Sequence, residues 1–516
     1  MRLDELIRSI QNPLRVSGDT GLEISALYYD SRKVKEKGLF FALRGVADDG
    51  HLFIDKAVNS GAIALVLEDV SFAPPGVPFI QVPDARRAMA SMAAAFYGYP
   101  SDAIPLIGIT GTNGKTTTTY LIEAILGEAG IPAAVLGTIH YRFAETILPS
   151  DHTTPESVEL QKTLREMSDL GAKSIVMEVS SHALEQHRVD GCLFDIAVFT
   201  NLTRDHLDYH KDMESYLACK KRLFTELLTA DQQKPKRHAV VNIDDPLGDL
   251  IARAANCPVI TYGLVNDADV GARETIFSTS GISGILTTPG GEIDFNSRLL
   301  GRFNLYNILA ASGVAVAMNI PLTAIRSGIA GHEKVAGRLE KVENNRGVTL
   351  LVDYAHTDDA LENVLKTLLE ISERKIITVF GCGGDRDRGK RPIMGEIAAR
   401  YSDLSIVTSD NPRTEDPLLI MDQIRAGVVP LELKEYTVKE LSGGLTEKGY
   451  VMVSSRREAI QLAVKVAQPG DIVLLAGKGH EGYQIIGTEK IEFDDREEAV
   501  NAFRECSDMI MKKGPA

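Results

Sequence analysis

The 516-residue chain has few cysteines and none of the cysteine spacings used by metal sites or disulfide frameworks. Its five cysteines are scattered, which indicates free thiols in a reducing compartment: Cys192, Cys219, Cys257, Cys382 and Cys506. No apolar run reaches the roughly 18 residues of a membrane span. Residues 1–6 include acids where a secretory signal would be basic and then apolar. We therefore expect a cytoplasmic protein.

An excess of basic charge is also missing. The formal net charge is -15, so a broad affinity for nucleic acid or an anionic membrane is not expected. We find no internal repeat and no low-complexity tract. Hydrophobic residues make up 44% of the chain and charged residues 25%, as in ordinary globular proteins. We expect a monomer that binds small molecules, and the length predicts about three domains.

The order of apolar runs predicts an α/β fold. Strand-like runs at 39–43, 62–67 and 79–82 precede a helical stretch at 85–97. From residue 105 onward short strands alternate with helices, which favours parallel sheets covered on both faces. The alternation restarts beyond residue 343 in a second, Rossmann-like pattern. We place an N-terminal α/β domain at 1–99, a central nucleotide domain at 100–335 and a C-terminal domain at 336–516.

The strongest local motif is the glycine-rich segment 108–117, GITGTNGKTT, between an apolar strand and a helix. Glycines allow a tight turn whose N–H groups face phosphate oxygens, and the helix N-terminus adds a positive dipole end. Lys115 would reach the β- and γ-phosphates, and the Thr116 hydroxyl would ligate Mg²⁺. Ile109 occupies the first glycine position of the strict phosphate-loop motif, so a plain strand–helix turn is the alternative.

Three residues near this loop are candidates for a metal site. Glu178 and His206 follow apolar strands, and ligands of parallel sheets bind at the carboxyl ends of strands. A buried structural histidine is the alternative for His206. Lys220 falls on the apolar stripe of a helix predicted over 213–228, where its ammonium must snorkel, meet an acid or lose its proton. A neutral amine there could react with CO₂ to give a carbamate.

Taken together, these motifs resemble the Mur ligases, the enzymes that build the peptidoglycan stem peptide on a UDP-linked muramic acid. The loop at 111–117, the segments 178–182 and 200–206, the Lys220 helix and the segment 301–307 occur in the family's order. The resemblance covers essentially the whole chain. It implies ATP as co-substrate and Mg²⁺ as cofactor, a carboxylated Lys220, and Glu178 and His206 as magnesium ligands with Thr116 and the Lys220 carbamate.

The resemblance also assigns the nucleotide contacts. Those implied for ATP are Gly111, Thr112, Asn113, Gly114, Lys115, Thr116 and Thr117 of the loop, Asn304 and Asn307 for adenine, and Arg338 for the phosphates after domain closure. Asp353, at the end of a strand, resembles a further contact on the nucleotide side. For Arg338 and Asp353 an ordinary surface ion pair is the alternative. Lys115, Lys220, Glu178 and His206 are the implied catalytic set.

Within the family, the chain is most similar to the enzymes of the third ligation, which act on UDP-MurNAc-L-Ala-D-Glu. Residues implied to hold this substrate are Ser31, Thr153, Thr154, Ser180, Gln186 and Arg188. The segments 410–413, DNPR, and 477–481, GKGHE, resemble those of members that add meso-diaminopimelate. Residues implied for this acceptor are Arg386, Asp410, Asn411, Pro412, Arg413, Gly477 and Glu481.

The charges of this acceptor set agree with the chemistry of diaminopimelate. Arg386 and Arg413 would hold its distal carboxylate, while Asp410 and Glu481 would hold its distal ammonium. Lysine lacks the distal carboxylate and would leave the guanidinium groups unpaired. The loop at 381–386 fails the dinucleotide motif G-x-G-x-x-G because Arg386 stands at the last glycine, so we reject a nicotinamide cofactor.

The expected reaction is an ATP-dependent ligation through an acyl phosphate on the D-glutamate γ-carboxylate. Three alternatives stay open at this point. A lysine-adding ligase of the same family is the nearest. A folylpolyglutamate-synthase-like ligase shares the phosphate loop and the carboxylated lysine. A nucleotide-hydrolysing switch is the third, although the sequence has no Asn-Lys-x-Asp guanine motif.

Overall fold

Three mainly parallel β-sheets follow one another along the chain in this computed structural model, which confirms the α/β fold. The structure describes residues 1–45, 48–150, 152–203, 209–228, 234, 236–265 and 267–513, with side chains up to residue 506. Among these residues, no helix combines the length and the apolar character needed to cross a membrane.

The N-terminal part of the chain builds the first sheet. Its elements are α1 (Leu3–Ile7), β1 (Arg15–Ser17), β2 (Ala26–Tyr28), β3 (Gly38–Phe41), α2 (Ile54–Asn59), β4 (Ala62–Leu67), β5 (Phe79–Gln81), α3 (Ala85–Phe96) and α4 (Pro100–Ala103). The strand order is β1-β5-β4-β3-β2, and only the β1–β5 pair is antiparallel. Helix α3 begins at the cap Asp84, whose carboxylate accepts from the N–H groups of Arg86 and Arg87.

The central part carries an eight-stranded sheet in the order β13-β12-β11-β6-β10-β7-β8-β9. Its elements are β6 (Leu106–Thr110), α5 (Lys115–Glu128), β7 (Ala133–Leu136), β8 (His140–Phe143), β9 (Thr146–Pro149), α6 (Ser157–Asp169), β10 (Ser174–Glu178), α7 (Ser181–Glu185), β11 (Ile196–Phe199), α8 (Met213–Arg222), β12 (His238–Asn242), α9 (Gly248–Ala254) and β13 (Val259–Tyr262). The strands from β13 to β7 are parallel, whereas β8 and β9 add an antiparallel hairpin.

Both faces of this sheet are apolar. Leu106 and Met177 belong to the cluster on one face, and Ile107 and Val176 to the cluster on the other. Successive side chains of a strand point to opposite faces, so a strand buried on both faces is apolar throughout. This pattern is why the sequence predicts these strands well.

A small antiparallel sheet follows, formed by β14 (Gly271–Ser278), β15 (Gly281–Thr288) and β16 (Gly291–Ser297). Two helices then return to the central sheet, α10 (Arg302–Ala317) and α11 (Leu322–Gly331). The pattern of apolar residues did not predict the small sheet. Its strands carry exposed or half-buried residues on both faces, so they lack the apolar run of a buried strand.

The C-terminal part forms a seven-stranded sheet in the order β17-β18-β23-β19-β20-β22-β21, parallel except for the β17–β18 pair. Its elements are β17 (Glu340–Val342), β18 (Thr349–Asp353), α12 (Asp358–Ile371), β19 (Ile376–Phe380), α13 (Lys390–Tyr401), β20 (Leu404–Val407), α14 (Pro417–Val428), β21 (Lys434–Glu435), α15 (Val438–Leu441), β22 (Gly449–Met452), α16 (Arg456–Val466), β23 (Ile472–Ala476), a hairpin of β24 (Tyr483–Ile486) and β25 (Glu489–Glu492), and α17 (Asp495–Lys513).

Helix α11 packs closely on α5, the helix that follows the glycine-rich loop. The contact occurs at Gly328, where a Cβ atom would lie 2.5 Å from the Cα of Ile125. Such a distance is a steric overlap with backbone, so only glycine allows this approach. The position of α5, and of the loop at its N-terminus, therefore depends on a residue without a side chain.

Replacing Gly328 by alanine should lower the thermal midpoint of the central domain. Overpacking of this kind costs about 1–3 kcal/mol, and one kcal/mol corresponds to about 2–4 °C in a domain of this size. The control is Gly331→Ala in the same helix, where an added Cβ meets nothing within 4 Å. Gly331→Ala should leave the thermal midpoint unchanged or raise it slightly. Equal midpoints for the two variants, measured by calorimetry, would contradict the packing argument.

Candidate active site

The glycine-rich loop connects β6 to α5 and is shaped by the end of the neighbouring strand β11. The Thr200 hydroxyl donates to the Asn113 carbonyl at 2.7 Å, and the Asn113 N–H donates to the Asn201 side chain at 2.9 Å. The Thr112 N–H donates to the Asn201 carbonyl, also at 2.9 Å. The loop conformation is therefore fixed by hydrogen bonds to an adjacent parallel strand.

Two glycines are required in this loop. Gly111 has φ 149° and Gly114 has φ 86°, and a Cβ atom at either would overlap a side chain, that of Thr200 or Asn307. The Lys115 ammonium donates to the carbonyls of Gly111 and Thr112, at 2.9 and 2.8 Å. It thus lies over the loop, at the positive N-terminal end of α5, where an anion is favoured.

A cavity of about 660 Å³ opens in front of the loop, between the central and C-terminal parts of the chain. Asn307 on α10 lines it and accepts a hydrogen bond from the Thr118 hydroxyl at 3.3 Å. Asn304 lies behind Asn307, accepting from it at 3.0 Å and donating to the Leu300 carbonyl at 2.8 Å. Of the two predicted adenine contacts, Asn307 therefore faces the cavity and Asn304 orients it.

The same wall carries two residues that the sequence analysis missed. The Tyr306 hydroxyl donates to the Asp244 carboxylate at 2.9 Å, and both residues line the cavity. Asp244 lies two residues beyond β12, so its place at the carboxyl end of a parallel strand was the signal available.

Glu178 ends β10 and is buried, with an exposed fraction of 1%. Its two carboxylate oxygens accept from the N–H and the hydroxyl of Thr138, each at 2.9 Å. The Thr138 hydroxyl also lies 3.1 Å from that of Thr153. Gly137 leaves the room for this carboxylate, because a Cβ there would overlap it.

Lys220 on α8 is equally buried, as its place on the apolar stripe predicts. Its ammonium donates to the Gly111 carbonyl at 2.9 Å and lies 4.6 Å from the centre of the Tyr216 ring. The helix predicted over 213–228 is continued beyond α8 by a π-helical segment, Leu223–Leu227. The lysine is thereby fixed beside the phosphate loop.

Thr116, Glu178 and Lys220 line one cavity. A hydroxyl and a buried carboxylate are oxygen donors of the kind Mg²⁺ prefers, so these residues fit a magnesium ion. His206 lies outside the described residues. Among the residues that are described, no group of three or more His, Cys, Asp or Glu is arranged to hold a metal. A carbamate on Lys220 would add a second anion to the Glu178 carboxylate at this site.

The C-terminal part of the chain reaches the loop through Arg338. Its guanidinium donates to the Thr116 hydroxyl at 3.4 Å and stacks 4.8 Å from the centre of the Tyr354 ring. Asp353 holds this segment, because its carboxylate accepts from the N–H groups of Leu339 and Ala355 at 2.7 and 2.8 Å. Burial raises the pKa of Asp353, and the Arg338 charge opposes that rise.

A second contact between these parts was not foreseen from the sequence. The Asp359 carboxylate, in the first turn of α12, accepts from the Asn113 side chain and from the Thr203 hydroxyl, both at 2.9 Å. Burial raises the pKa of Asp359, while these two hydrogen bonds lower it. Asp359 therefore joins α12 directly to the phosphate loop.

The residues predicted for the UDP-linked substrate, other than Ser31, lie near the end of β10. The Arg188 guanidinium donates to the Thr154 carbonyl at 2.9 Å and to the Gln186 side chain at 2.8 Å, and pairs with Glu156 at 3.1 Å. The Thr154 hydroxyl accepts from the Ser180 N–H at 3.0 Å. These residues form one connected group, and Thr153 and Ser180 line the cavity itself. Ser31 lies apart, buried just beyond β2.

The predicted acceptor residues follow strands β19, β20 and β23, so they meet at one edge of the C-terminal sheet. Arg413 adopts a left-handed backbone conformation, with φ 50°, and its guanidinium donates to the Gly384 carbonyl at 2.8 Å. Arg386 is exposed and lies beside it, since a Cβ on Gly383 would contact both arginines. The Asn411 side chain donates to Glu481 at 3.1 Å. Pro412 and Gly477 complete the predicted set, which the structure brings together.

This edge also holds a lysine that the sequence analysis did not single out. Lys478 is fully buried, and its ammonium lies 3.6 Å from the Asp410 carboxylate, 3.4 Å from Glu481 and 3.3 Å from the Asn411 side-chain oxygen. Burial and the Asp410 charge raise the pKa of Glu481, whereas Lys478 lowers it.

A phosphate loop on a parallel sheet, a buried lysine beside it and a third domain that contacts the loop define an α/β nucleotide-binding protein of the ligase type. Three family models match in succession: "Mur ligase family, catalytic domain" over residues 23–97, "Mur ligase middle domain" over 109–315 and "Mur ligase, glutamate ligase domain" over 337–479. The chain belongs to the Mur ligase family, whose members are ATP-dependent, ADP-forming ligases. The expected enzyme class is confirmed.

Individual relatives agree with the family models. A protein of Geobacter metallireducens named UDP-N-acetylmuramoyl-L-alanyl-D-glutamate--2,6-diaminopimelate ligase is 63% identical over 507 residues, 98% of this chain and 99% of that protein. A solved structure under the same name matches with TM-score 0.68 and 33% identity, over 98% of this chain and 99% of the other. Folylpolyglutamate synthase of Mycobacterium tuberculosis, complexed with ADP, matches 75% of this chain and 91% of its own with TM-score 0.59 and 18% identity, which shows a shared fold alone.

The contact of Asp359 with the phosphate loop predicts a kinetic effect. Asp359→Ala should lower kcat/KM for ATP about tenfold, because two hydrogen bonds to a carboxylate are lost and Asn113 is no longer oriented. Asp358→Asn removes a charge one residue away and serves as the control, which should stay within about twofold of wild type. Steady-state ADP release measures both. An unchanged kcat/KM in a folded Asp359→Ala variant would refute the role assigned to this contact.

Proposed function

We propose that this ligase joins meso-2,6-diaminopimelate to the D-glutamate γ-carboxylate of UDP-MurNAc-L-Ala-D-Glu, with ATP as co-substrate. The observation that carries the proposal is the acceptor pocket at the edge of the C-terminal sheet. The loops there bring together two guanidinium groups, those of Arg413 and Arg386, and two carboxylates, those of Asp410 and Glu481. This charge pattern matches an amino acid whose far end bears both a carboxylate and an ammonium.

One buried atom supports an ammonium in this pocket. Asp410 Oδ1 is buried and accepts no hydrogen bond from the part of the chain that the structure describes, since the Lys478 ammonium, 3.6 Å away, lies beyond hydrogen-bond distance. Such an oxygen is costly unless a donor reaches it. The ammonium of a bound acceptor would supply that donor. The name of the 63% identical relative, a diaminopimelate ligase, supports the same substrate.

The proposed chemistry has two steps. The γ-carboxylate oxygen attacks the γ-phosphorus of ATP, the bond to the bridging oxygen breaks and ADP leaves, which yields an acyl phosphate. The diaminopimelate amine then attacks the acyl carbon, the C–O bond to phosphate breaks, and inorganic phosphate and a proton are released. Lys115 balances the phosphate charge in the first step.

Mg²⁺, when bound, supplies further charge neutralisation at the transferring phosphoryl group. We propose that Thr116, Glu178, His206 and a carbamate on Lys220 hold it. Arg338 then stabilises the phosphates from the third domain, and closure of that domain excludes water from the acyl phosphate. Gly111 to Gly114 and Thr117 supply backbone contacts to ATP, and Ser31, Thr153, Thr154, Ser180, Gln186 and Arg188 hold the UDP-linked substrate.

Three domains carry these roles in the proposal: residues 1–99 bind the UDP moiety, 100–335 bind ATP, and 336–516 bind the acceptor. We further propose a cytoplasmic monomer with no nucleic-acid partner. The lysine-adding alternative differs only in the acceptor pocket. The folylpolyglutamate alternative is disfavoured by residues 23–97, which match a Mur ligase model, and a nucleotide switch would need no acceptor at all.

The test of the reaction is phosphate release from ATP with UDP-MurNAc-L-Ala-D-Glu and either meso-diaminopimelate or L-lysine. We expect release and a new conjugate with diaminopimelate, and at least about a hundredfold lower kcat/KM with lysine, because the guanidinium groups of Arg413 and Arg386 would lose their carboxylate partner. Equal turnover with lysine would favour the lysine-adding enzyme. Release that needs neither acceptor would point to a nucleotide hydrolase.

The role of Lys220 is tested separately. Lys220→Ala should lower kcat by about a thousandfold or more, because a charge at the transferring phosphoryl group is lost. Added acetate or formate should restore part of the activity by replacing the carbamate. Lys221→Ala, one residue along the same helix, is the matched control and should retain full activity. Full turnover of Lys220→Ala without additives would exclude the proposed role of the Lys220 carbamate in holding Mg²⁺.

A further inference from the structure

The two carboxylates of the acceptor pocket do not face the pocket alone, because a lysine is built in behind them. Lys478 has no exposed surface, whereas the Glu481 side chain is 16% exposed and that of Asp410 8%. The lysine therefore cannot exchange its partners for water, and its ammonium stays between the two acids. With Lys478 charged, the group Asp410, Glu481 and Lys478 carries a net charge of minus one.

The residues around Asp410, Glu481 and Lys478 do not change this net charge. Asn411 bridges the group without charge, accepting from Lys478 at 3.3 Å and donating to Glu481 at 3.1 Å. Arg456 lies beneath, but it is paired through two hydrogen bonds, at 2.8 and 2.6 Å, with the equally buried Asp495. That pair is neutral as a whole, so one negative charge remains on the carboxylate side of the pocket.

From this arrangement we propose that Lys478 is a positioning residue that determines acceptor specificity: it neutralises one of the two pocket carboxylates, so that the pocket matches one ammonium together with one carboxylate. Two uncompensated acids would instead favour a ligand end that bears only positive charge, and would repel the distal carboxylate. Lys478 itself touches neither the nucleotide cavity nor the reacting atoms, and acts through Asp410 and Glu481. The inference rests on the proposed function.

A cation fixed in the protein, such as the buried Lys478 ammonium, suits this site better than mobile counterions from solution. Two carboxylates in one poorly hydrated site repel each other, and one of them tends to take up a proton. A protonated acid would no longer attract an ammonium with full charge. An internal lysine offsets the repulsion between the two carboxylates without adding a solvent-exposed charge, so no counterion from solution is needed in the pocket.

The test compares acceptor selectivity in variants of the full-length enzyme that carry an uncharged side chain in place of Lys478. In Lys478→Met, we expect the ratio of kcat/KM for meso-diaminopimelate to that for L-lysine to fall at least about tenfold, with KM for ATP within about twofold of wild type. Lys478→Gln, which keeps a hydrogen-bond donor, should behave in the same direction. Lys465→Met removes an exposed lysine of the same domain and is the matched control. A wild-type ratio in folded Lys478→Met would overturn the inference.

A double variant separates charge from packing. Lys478→Met combined with Glu481→Gln restores the net charge of minus one while perturbing the pocket further. If charge balance sets specificity, the selectivity ratio of the double variant should exceed that of Lys478→Met by about threefold or more. If Lys478 serves only to pack the strand end, the second substitution should leave the ratio equal or lower it, which would reject the proposal.

A measurement on the wild type needs no change to a buried residue, and so covers the case in which the variants do not fold. L-Lysine lacks the distal carboxylate, and 2-aminopimelate lacks the distal ammonium. A balanced pocket should penalise the two acceptors by similar factors relative to diaminopimelate. A penalty for 2-aminopimelate more than about tenfold larger than that for lysine would indicate two uncompensated acids and overturn the inference. Absence of any diaminopimelate-dependent turnover would refute the proposed function instead.

Discussion

The tie between strand β11 and the glycine-rich loop is the constraint on which the site depends. Thr200 and Asn201 hold the loop carbonyls and N–H groups in place, and the loop in turn offers its remaining groups to other parts of the chain. Its Gly111 carbonyl receives the buried Lys220 ammonium, and its Asn113 side chain donates to Asp359 of the C-terminal part. A loop that moved freely could not hold Lys220 and Asp359 in place at the same time.

The site also contains buried charged groups, and each of them is stabilised by different hydrogen-bonding or charged partners. Glu178 receives two hydrogen bonds from a single residue, from the N–H and the hydroxyl of Thr138. Lys478 is surrounded by two acids and an amide. In each case the partners are fixed by strand ends, so little reorganisation is needed when a ligand binds. Surface pairs of this protein lack such support and contribute little.

The sequence was sufficient for features that depend on neighbouring residues. Strands buried on both faces appear in the sequence as apolar runs. The loop at 108–117 is recognisable because it combines glycines with a lysine at the start of a helix. Asp359 and Lys478 escaped notice because key partners lie far along the chain, 246 residues away for Asn113 and 67 for Asn411. The small sheet β14–β16 was missed because both of its faces are partly polar.

The C-terminal sheet links the nucleotide contact to the acceptor pocket through one short stack of side chains. Arg338 stacks on Tyr354, and the Tyr354 ring lies 5.2 Å from that of His480, which adjoins Glu481. The strands beneath are hydrogen-bonded neighbours, since the Gly477 N–H donates to the Asp353 carbonyl at 3.0 Å. Arg338 and the acceptor loop therefore belong to one packed unit. In the proposed reaction, any motion that brings Arg338 to the phosphates would carry the proposed acceptor residues with it, so nucleotide contact and delivery of the amine would be a single event.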